Sequence, residues 1–297
     1  MPDQAAKLRQ VIDTAMPCAP AVATGPPMIV VTGGRAGVGT TTVAVNLAAV
    51  LADRGERVLL VEAAEQRANM REVAGVRPTE NERSLSDVLA GNCGAAEAMA
   101  AGPAGTMVLA HGHGRGSPPD FSRHAQQRLL TELQTLRGDV DLIVIDAGSG
   151  LTPWTRRYWL RSRLVLLVTT TDGPALMDSY AAIKLSAADE VAADVRLLVN
   201  QCDDERIAAD AHRRLSGACQ RFLARTVSSL PSLPRHAGSG NGDDRSVPRV
   251  WEAPSTPFGH ATMWLGRAVS DLLSTTNSPP LASAESEQQR HTELLPC

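Results

Sequence analysis

Gly34-Arg35-Ala36-Gly37-Val38-Gly39-Thr40-Thr41-Thr42 is a glycine-rich run set between an apolar stretch, 28–31, and an apolar-periodic stretch, about 41–51. In a strand, glycine loop, helix setting, successive backbone N–H groups turn inward as an anion cradle, and the free N–H groups at the helix start add a positive end. The spacing fits the phosphate-loop pattern G-x-x-x-x-G-K-[ST], with Gly34 and Gly39 at the glycine positions and Thr41 at the hydroxyl position. Thr40 stands where the pattern has lysine. Cradle and helix end need no side chain, and Thr41 can offer its hydroxyl to Mg²⁺. The point charge that a lysine places on the β/γ oxygens is missing, and Arg35, inside the loop, is a candidate to supply it. A bare strand-to-helix turn with no ligand is the alternative.

A second candidate lies at Asp146, which closes the apolar run 140–145. Hydrophobic residues followed by aspartate put a carboxylate at a strand end, where it holds Mg²⁺ through water. Ala147-Gly148-Ser149-Gly150 follows as a loop whose N–H groups could read a γ-phosphate. An aspartate there can also be purely structural. Glu62-Ala63-Ala64-Glu65 closes a further apolar run, 58–61, and strand C-termini line the crevice of open α/β sheets, so these residues are expected at the site. His111 and His113 share the stretch 111–119, HGHGRGSPP; with no carboxylate or thiol nearby, a solvated loop is expected there rather than a metal site.

The elements that must position these groups alternate. Strands are expected at 28–31, 58–61, 108–110, 140–145, 164–170, 195–200 and 227–230. Helices are expected at about 41–51, 95–101, 121–136, 152–160, 174–185, 205–223 and 258–273, and residues 84–87 fit a capping box before a short helix ending near Gly91. Such alternation argues a mostly parallel sheet with helices on both faces, the three-layer α/β class. Residues 1–16 read as a short amphipathic helix with Ala5, Leu8, Val11 and Ile12 on one face. Residues 17–27 form a Pro/Ala-rich linker, 28–273 the main domain, and 274–297 a polar tail expected to be disordered. Residues 235–246 are glycine-rich and polar, a loop by composition.

Composition narrows the classes. The chain has 297 residues and a formal net charge of −3, which marks no broad nucleic-acid surface. Aromatics are 3%, too few for base-stacking platforms. Cys18, Cys93, Cys202, Cys219 and Cys297 are scattered, with no C-x-x-C pair and an odd count, so neither zinc nor a disulfide framework is indicated. A reducing cytoplasm is the natural compartment. No apolar run approaches the ~20 residues of a membrane span, and the N-terminus does not resemble a signal peptide.

These residues resemble the MinD/ParA family of deviant-Walker ATPases, whose loop reads K-G-G-V-G-K-T-T where this chain has Arg35 to Thr42. Asn46-Leu47-Ala48 is similar to the family's NLA. Within the family the likeness is nearest to the FlhG (YlxH, FleN) branch of flagellar-number regulators. Asp3-Gln4-Ala5-Ala6-Lys7-Leu8-Arg9 resembles that branch's D-Q-A-x-x-L-R, residues 85–91 its LSDVLAG, residues 145–150 its IDTGAG, and residues 181–185 its YALIKLL. The resemblance implies a P-loop fold, ATP or ADP with Mg²⁺ as cofactors, and a nucleotide site from Gly34 to Thr42. Asn200 falls where the family has an adenine-contacting asparagine, and Thr41 and Asp146 fall at the metal positions. It also implies a nucleotide-dependent homodimer, peripheral contact with the inner face of the cell membrane through a C-terminal helix, and no nucleic acid. An FlhF-type signal-recognition-like GTPase is the implied partner, met by Asp3, Gln4, Ala5, Leu8 and Arg9, with Gln4 placing water in the partner's site. For the helix 258–273, with Met263, Trp264, Leu265, Val269, Leu272 and Leu273, packing into the core is expected ahead of membrane docking.

The departures matter equally. The family's signature lysine is Arg35, its Walker lysine is Thr40, and its D-A-D reads Glu62-Ala63-Ala64, so the second acid that helps place the attacking water is lost. Hydrolysis is expected to be very slow or absent. Two readings stand: a binding regulator on a degenerate ATPase scaffold, or a true ATP-driven dimerisation switch in which Arg35 supplies the missing charge. A third, a chromosome-partitioning relative, predicts salt-sensitive DNA binding, and the acidic balance speaks against it.

Overall fold

The structure is a computed structural model that describes residues 25–65, 69–77, 82–112, 119–187, 193–236 and 248–275. In chain order the elements are β1 (Met28–Gly33), α1 (Thr40–Asp53), β2 (Val58–Glu62), α2 (Met70–Ala74), α3 (Leu85–Ala90), α4 (Ala95–Ala98), β3 (Ala100–Ala101) and β4 (Met107–Leu109). Then follow α5 (Arg123–Thr135), β5 (Leu142–Ser149), α6 (Pro153–Arg161), β6 (Leu164–Thr169), α7 (Gly173–Ala187), β7 (Asp194–Val199), α8 (Glu205–Leu223), β8 (Ser228–Ser229), α9 (Arg249–Glu252) and α10 (Pro257–Thr275). The strands form one sheet in the order β3-β4-β2-β5-β1-β6-β7-β8. The pairings are parallel except for β3 on β4.

Period-two alternation along each central strand builds the layers. Val30, Leu59, Val61, Ile143, Ile145, Val165 and Leu167 point to one face, into a core with Leu85, Leu89, Leu129, Leu133, Trp154 and Tyr158. Ile29, Val31, Leu60, Val144, Leu166 and Val168 point to the other, where Val43, Leu47 and Leu51 of α1 and Phe258, Leu265 and Val269 of α10 cover them. The three-layer α/β arrangement expected from the alternation is present, with β1 at the centre between β5 and β6.

Several local expectations are corrected. Residues 95–101 are not one helix: α4 stops at Ala98, Met99 is extended, and Ala100–Ala101 pair antiparallel with β4. The Gly102 N–H bond to the Thr106 carbonyl, 2.7 Å, closes the turn that brings them back. Strand β5 continues through the expected loop to Ser149. His111 is buried rather than solvated. Along α10 the expected apolar face divides: Leu265 and Val269 are buried, whereas Trp264 is 62% exposed. Gly266 sits so close to α1 that a Cβ would lie 2.4 Å from Val50 Cγ1. That face of α10 is thus a packing face. No helix of the described residues is long and apolar enough to cross a membrane. The helix expected at 1–16, with Asp3, Gln4, Ala5, Leu8 and Arg9, lies outside the described residues, as do His113, most of the loop 235–246 and the tail beyond Thr275.

Candidate functional site

Parallel strands β1, β5 and β2 end together on one edge of the sheet, and the loops after them meet there. The loop between β1 and α1 is built from residues with separate tasks. Val38 is 3% exposed and sits in the core with Ile29 and Val31, so it anchors the loop. Gly34 lies against α7: a Cβ on it would stand 2.6 Å from the backbone of Asp178 and Ser179. Gly39, at φ 93°, takes the left-handed conformation that starts α1 without a side-chain cap, leaving the first helical N–H groups open to a ligand. Asn46, of the NLA triplet, is buried; it donates to the Thr42 carbonyl at 2.7 Å and accepts from Val250 N at 2.7 Å, tying α1 to α9.

A cavity of about 310 Å³ opens at this edge. Its walls are Ala36, Gly37 and Gly39 of the loop, Thr40, Thr41 and Thr42 of α1, Ala64 and Glu65 after β2, Asn69 and Val73, Ala147, Gly148 and Ser149 of β5, and Gln201 after β7. The expected loop residues thus converge, apart from the anchor Val38, the packing glycine Gly34, and Arg35. The Arg35 side chain is 45% exposed and lies 4.0 Å from Asp172 and 3.8 Å from Asp178, beside α7. Among the described residues no lysine or arginine lines the cavity; the Arg35 side chain lies beside it, toward α7.

Asp146 is buried at the floor of the edge, where it accepts a hydrogen bond from the Thr41 hydroxyl and one from Gly148 N at 3.0 Å. Burial pushes its carboxyl above the usual carboxylate range, and the two hydrogen bonds pull back. A buried carboxylate touching a hydroxyl beside an anion cradle fits a hydrated Mg²⁺ that takes its remaining ligands from water and phosphate. The β5 loop is held in place: Gly150 N donates to the Gly33 carbonyl at 2.8 Å, and the Thr32 hydroxyl to the Gly148 carbonyl at 3.1 Å.

Glu62 behaves otherwise. Its carboxylate accepts from Met70 N at 2.8 Å and His111 N at 3.0 Å and does not line the cavity. This corrects its expected place in the crevice: the N–H groups of two loops claim it. Burial raises its pKa, and those two N–H bonds act against the rise. His111 belongs to the same cluster. Its carbonyl accepts from Arg71 Nε at 3.2 Å, its Nδ1 lies 3.2 Å from the Ser86 hydroxyl, and burial lowers its pKa to about 4. Arg71 is buried and paired with Glu82 at 3.1 and 2.9 Å. Among the described residues no group of three or more His, Cys, Asp or Glu could hold a metal; His113 lies outside them.

Asn200 sits beside the loop: its Nδ2 donates to the Val38 carbonyl at 2.8 Å, and it is 5% exposed. Gln201, not anticipated from the sequence, donates from Nε2 to the Gly37 carbonyl at 3.0 Å. Its position immediately after a strand-ending asparagine was the available signal. The Trp154 indole N–H donates to the Ala63 carbonyl at 2.8 Å and so fixes the loop after β2 from α6.

Comparison with known proteins gives the family and the fold. A family model described as an AAA domain matches residues 27–192. The chain is 31% identical over 263 residues to the antiactivator FleN of Pseudomonas aeruginosa, a match covering 82% of this chain and 93% of that one. It is 26% identical over 207 residues to the flagellum site-determining protein YlxH of Helicobacter pylori, covering 66% of this chain and 65% of that one. In structure it is similar to the septum site-determining protein MinD of Pyrococcus horikoshii, solved in complex with Mg-ADP. The TM-score is 0.68 and the identity 23%, over 86% of this chain and 100% of that one, a likeness of fold.

Proposed function

Since the chain belongs to the MinD/ParA family of P-loop ATPases and stands close to its FlhG branch, we propose that it regulates flagellar number or placement. In this reading it binds Mg·ATP or Mg·ADP at the cradle, hydrolyses ATP very slowly or not at all, and acts by docking a partner. The observation that carries the reading is the Thr41–Asp146 contact beside the cradle, in a chain whose lysine and second-acid positions hold Thr40 and Ala64. Mg²⁺ at Thr41 and Asp146 would neutralise charge on the β/γ-phosphates. The loop and helix N–H groups would bind the phosphates, and the bond between Thr41 and Asp146 would orient the metal ligands.

The proposed partner is an FlhF-type GTPase, met by Asp3, Gln4, Ala5, Leu8 and Arg9, and the name of the YlxH relative, a flagellum site-determining protein, supports the flagellar setting. A nucleotide-dependent homodimer belongs to the same reading. Deleting residues 1–16 should abolish stimulation of the partner's GTP hydrolysis while leaving nucleotide binding intact. Undiminished stimulation by the truncated protein would sink the partner assignment.

A further inference from the structure

We propose that Gln201 is a positioning residue that preforms the phosphate cradle by pinning the loop backbone from the cavity rim; the proposal rests on the nucleotide-site reading above. A cradle with its N–H groups turned inward has its carbonyls turned outward, where side-chain donors can pin the loop, one in the buried layer and one at the exposed rim. Two consecutive carboxamides supply them. Asn200 Nδ2 reaches the Val38 carbonyl at 2.8 Å and Gln201 Nε2 the Gly37 carbonyl at 3.0 Å. The fit is close: a Cβ on Gly39 would lie 2.4 Å from Asn200 Nδ2.

The backbone at Gln201 shows what this placement costs. Its φ is 59°, in the left-handed region that a long side chain avoids. Backbone bonds on either side hold it there: Asn200 N to the Thr169 carbonyl at 2.8 Å, and Cys202 N to the Leu233 carbonyl at 3.1 Å. A chain needing only to leave strand β7 would be served by glycine at this position. A glutamine kept in a glycine conformation, with its amide on the loop, points to a task on the loop. With Thr40 at the lysine position, the loop depends on these outside contacts for its shape.

Gln201→Gly separates the two roles, because it suits the backbone and removes the amide. The expected result is a thermal midpoint no lower than that of the parent protein. In the nucleotide-free protein, deuterium uptake by the peptide spanning 33–43 should quicken several-fold, with β6 unchanged. Affinities for inorganic pyrophosphate and for ADP, both with Mg²⁺, should fall together by tenfold or more. Unchanged uptake would overturn the proposal. So would a weaker grip on ADP with pyrophosphate unaffected, which would make Gln201 a contact to the base. If the parent protein binds neither probe, the nucleotide reading fails, and the uptake comparison still decides whether Gln201 orders the loop.

Discussion

Glu62 and Asp146 are register partners on the parallel strands β2 and β5, and both are buried, yet they serve different ends. Asp146 faces the Thr41 hydroxyl and the Gly148 N–H, beside the residues that line the cavity. Glu62 faces the N–H groups of Met70 and His111, which begin α2 and end the β4 segment. One carboxylate is the proposed metal holder; the other is a strut joining three pieces of chain. Burial raises both pKa values, so titration alone does not tell them apart. What distinguishes them is the kind of donor: backbone N–H groups of two distant segments on Glu62, and a threonine hydroxyl of the loop-to-helix start with a neighbouring glycine N–H on Asp146.

The largest effect that tests this contrast is on stability. Glu62→Ala leaves two buried N–H groups without partners, which costs about 2–5 kcal/mol. The thermal midpoint should fall by roughly 10 °C. Asp146→Asn keeps an acceptor for Gly148 N and a partner for the Thr41 hydroxyl, so its midpoint should stay within a few degrees of the parent. Equal losses in the two variants would break the comparison.

A smaller effect follows from His111, whose N–H is half of the strut. Its ring has a folded pKa of about 4 against 6.5 for the free side chain. Between those values the unfolded chain binds a proton that the folded chain refuses, so stability falls as pH drops from 6.5 towards 4, by on the order of 3 kcal/mol in total. Glu62 acts in the opposite sense, because its raised pKa favours the folded state as it takes up a proton. His111→Gln isolates the histidine contribution. Denaturant midpoints should lose less between pH 7 and pH 4.5 in the variant than in the parent, and identical pH slopes would remove His111 from the picture. Smallest is Arg35→Ala. Its ion pairs are long and half exposed, so stability should change by less than about 0.5 kcal/mol. A large loss would mean that Arg35 is part of the framework.

Much of this was readable in the sequence because it is local. Apolar runs ending in glycine, Asp146 or Asn200 mark strand ends at one edge, and the spacing from Gly34 to Thr41 marks the cradle. Period-two strands and helical runs in alternation imply the parallel sheet. What was misread depends on chain distant in sequence. Glu62 is claimed by an N–H group 49 residues on. The partners of Arg35 were equally out of reach of the sequence: Asp172, just before α7, and Asp178, on it, lie more than a hundred residues later. His111 reads as loop because glycines follow it, yet Phe121 closes on its ring at 5.9 Å. Edge strand β3 has two residues, too few for any periodicity to register.

The most direct measurement is a calorimetric titration of the parent protein and of Asp146→Asn with ADP and ATP, with and without Mg²⁺, following phosphate release on the same samples. The parent should bind both nucleotides with Mg²⁺ and release almost no phosphate, and Asp146→Asn should lose tenfold or more of the Mg²⁺-dependent affinity. Clear turnover by the parent, or no binding of either nucleotide, would contradict a cradle kept for binding without chemistry.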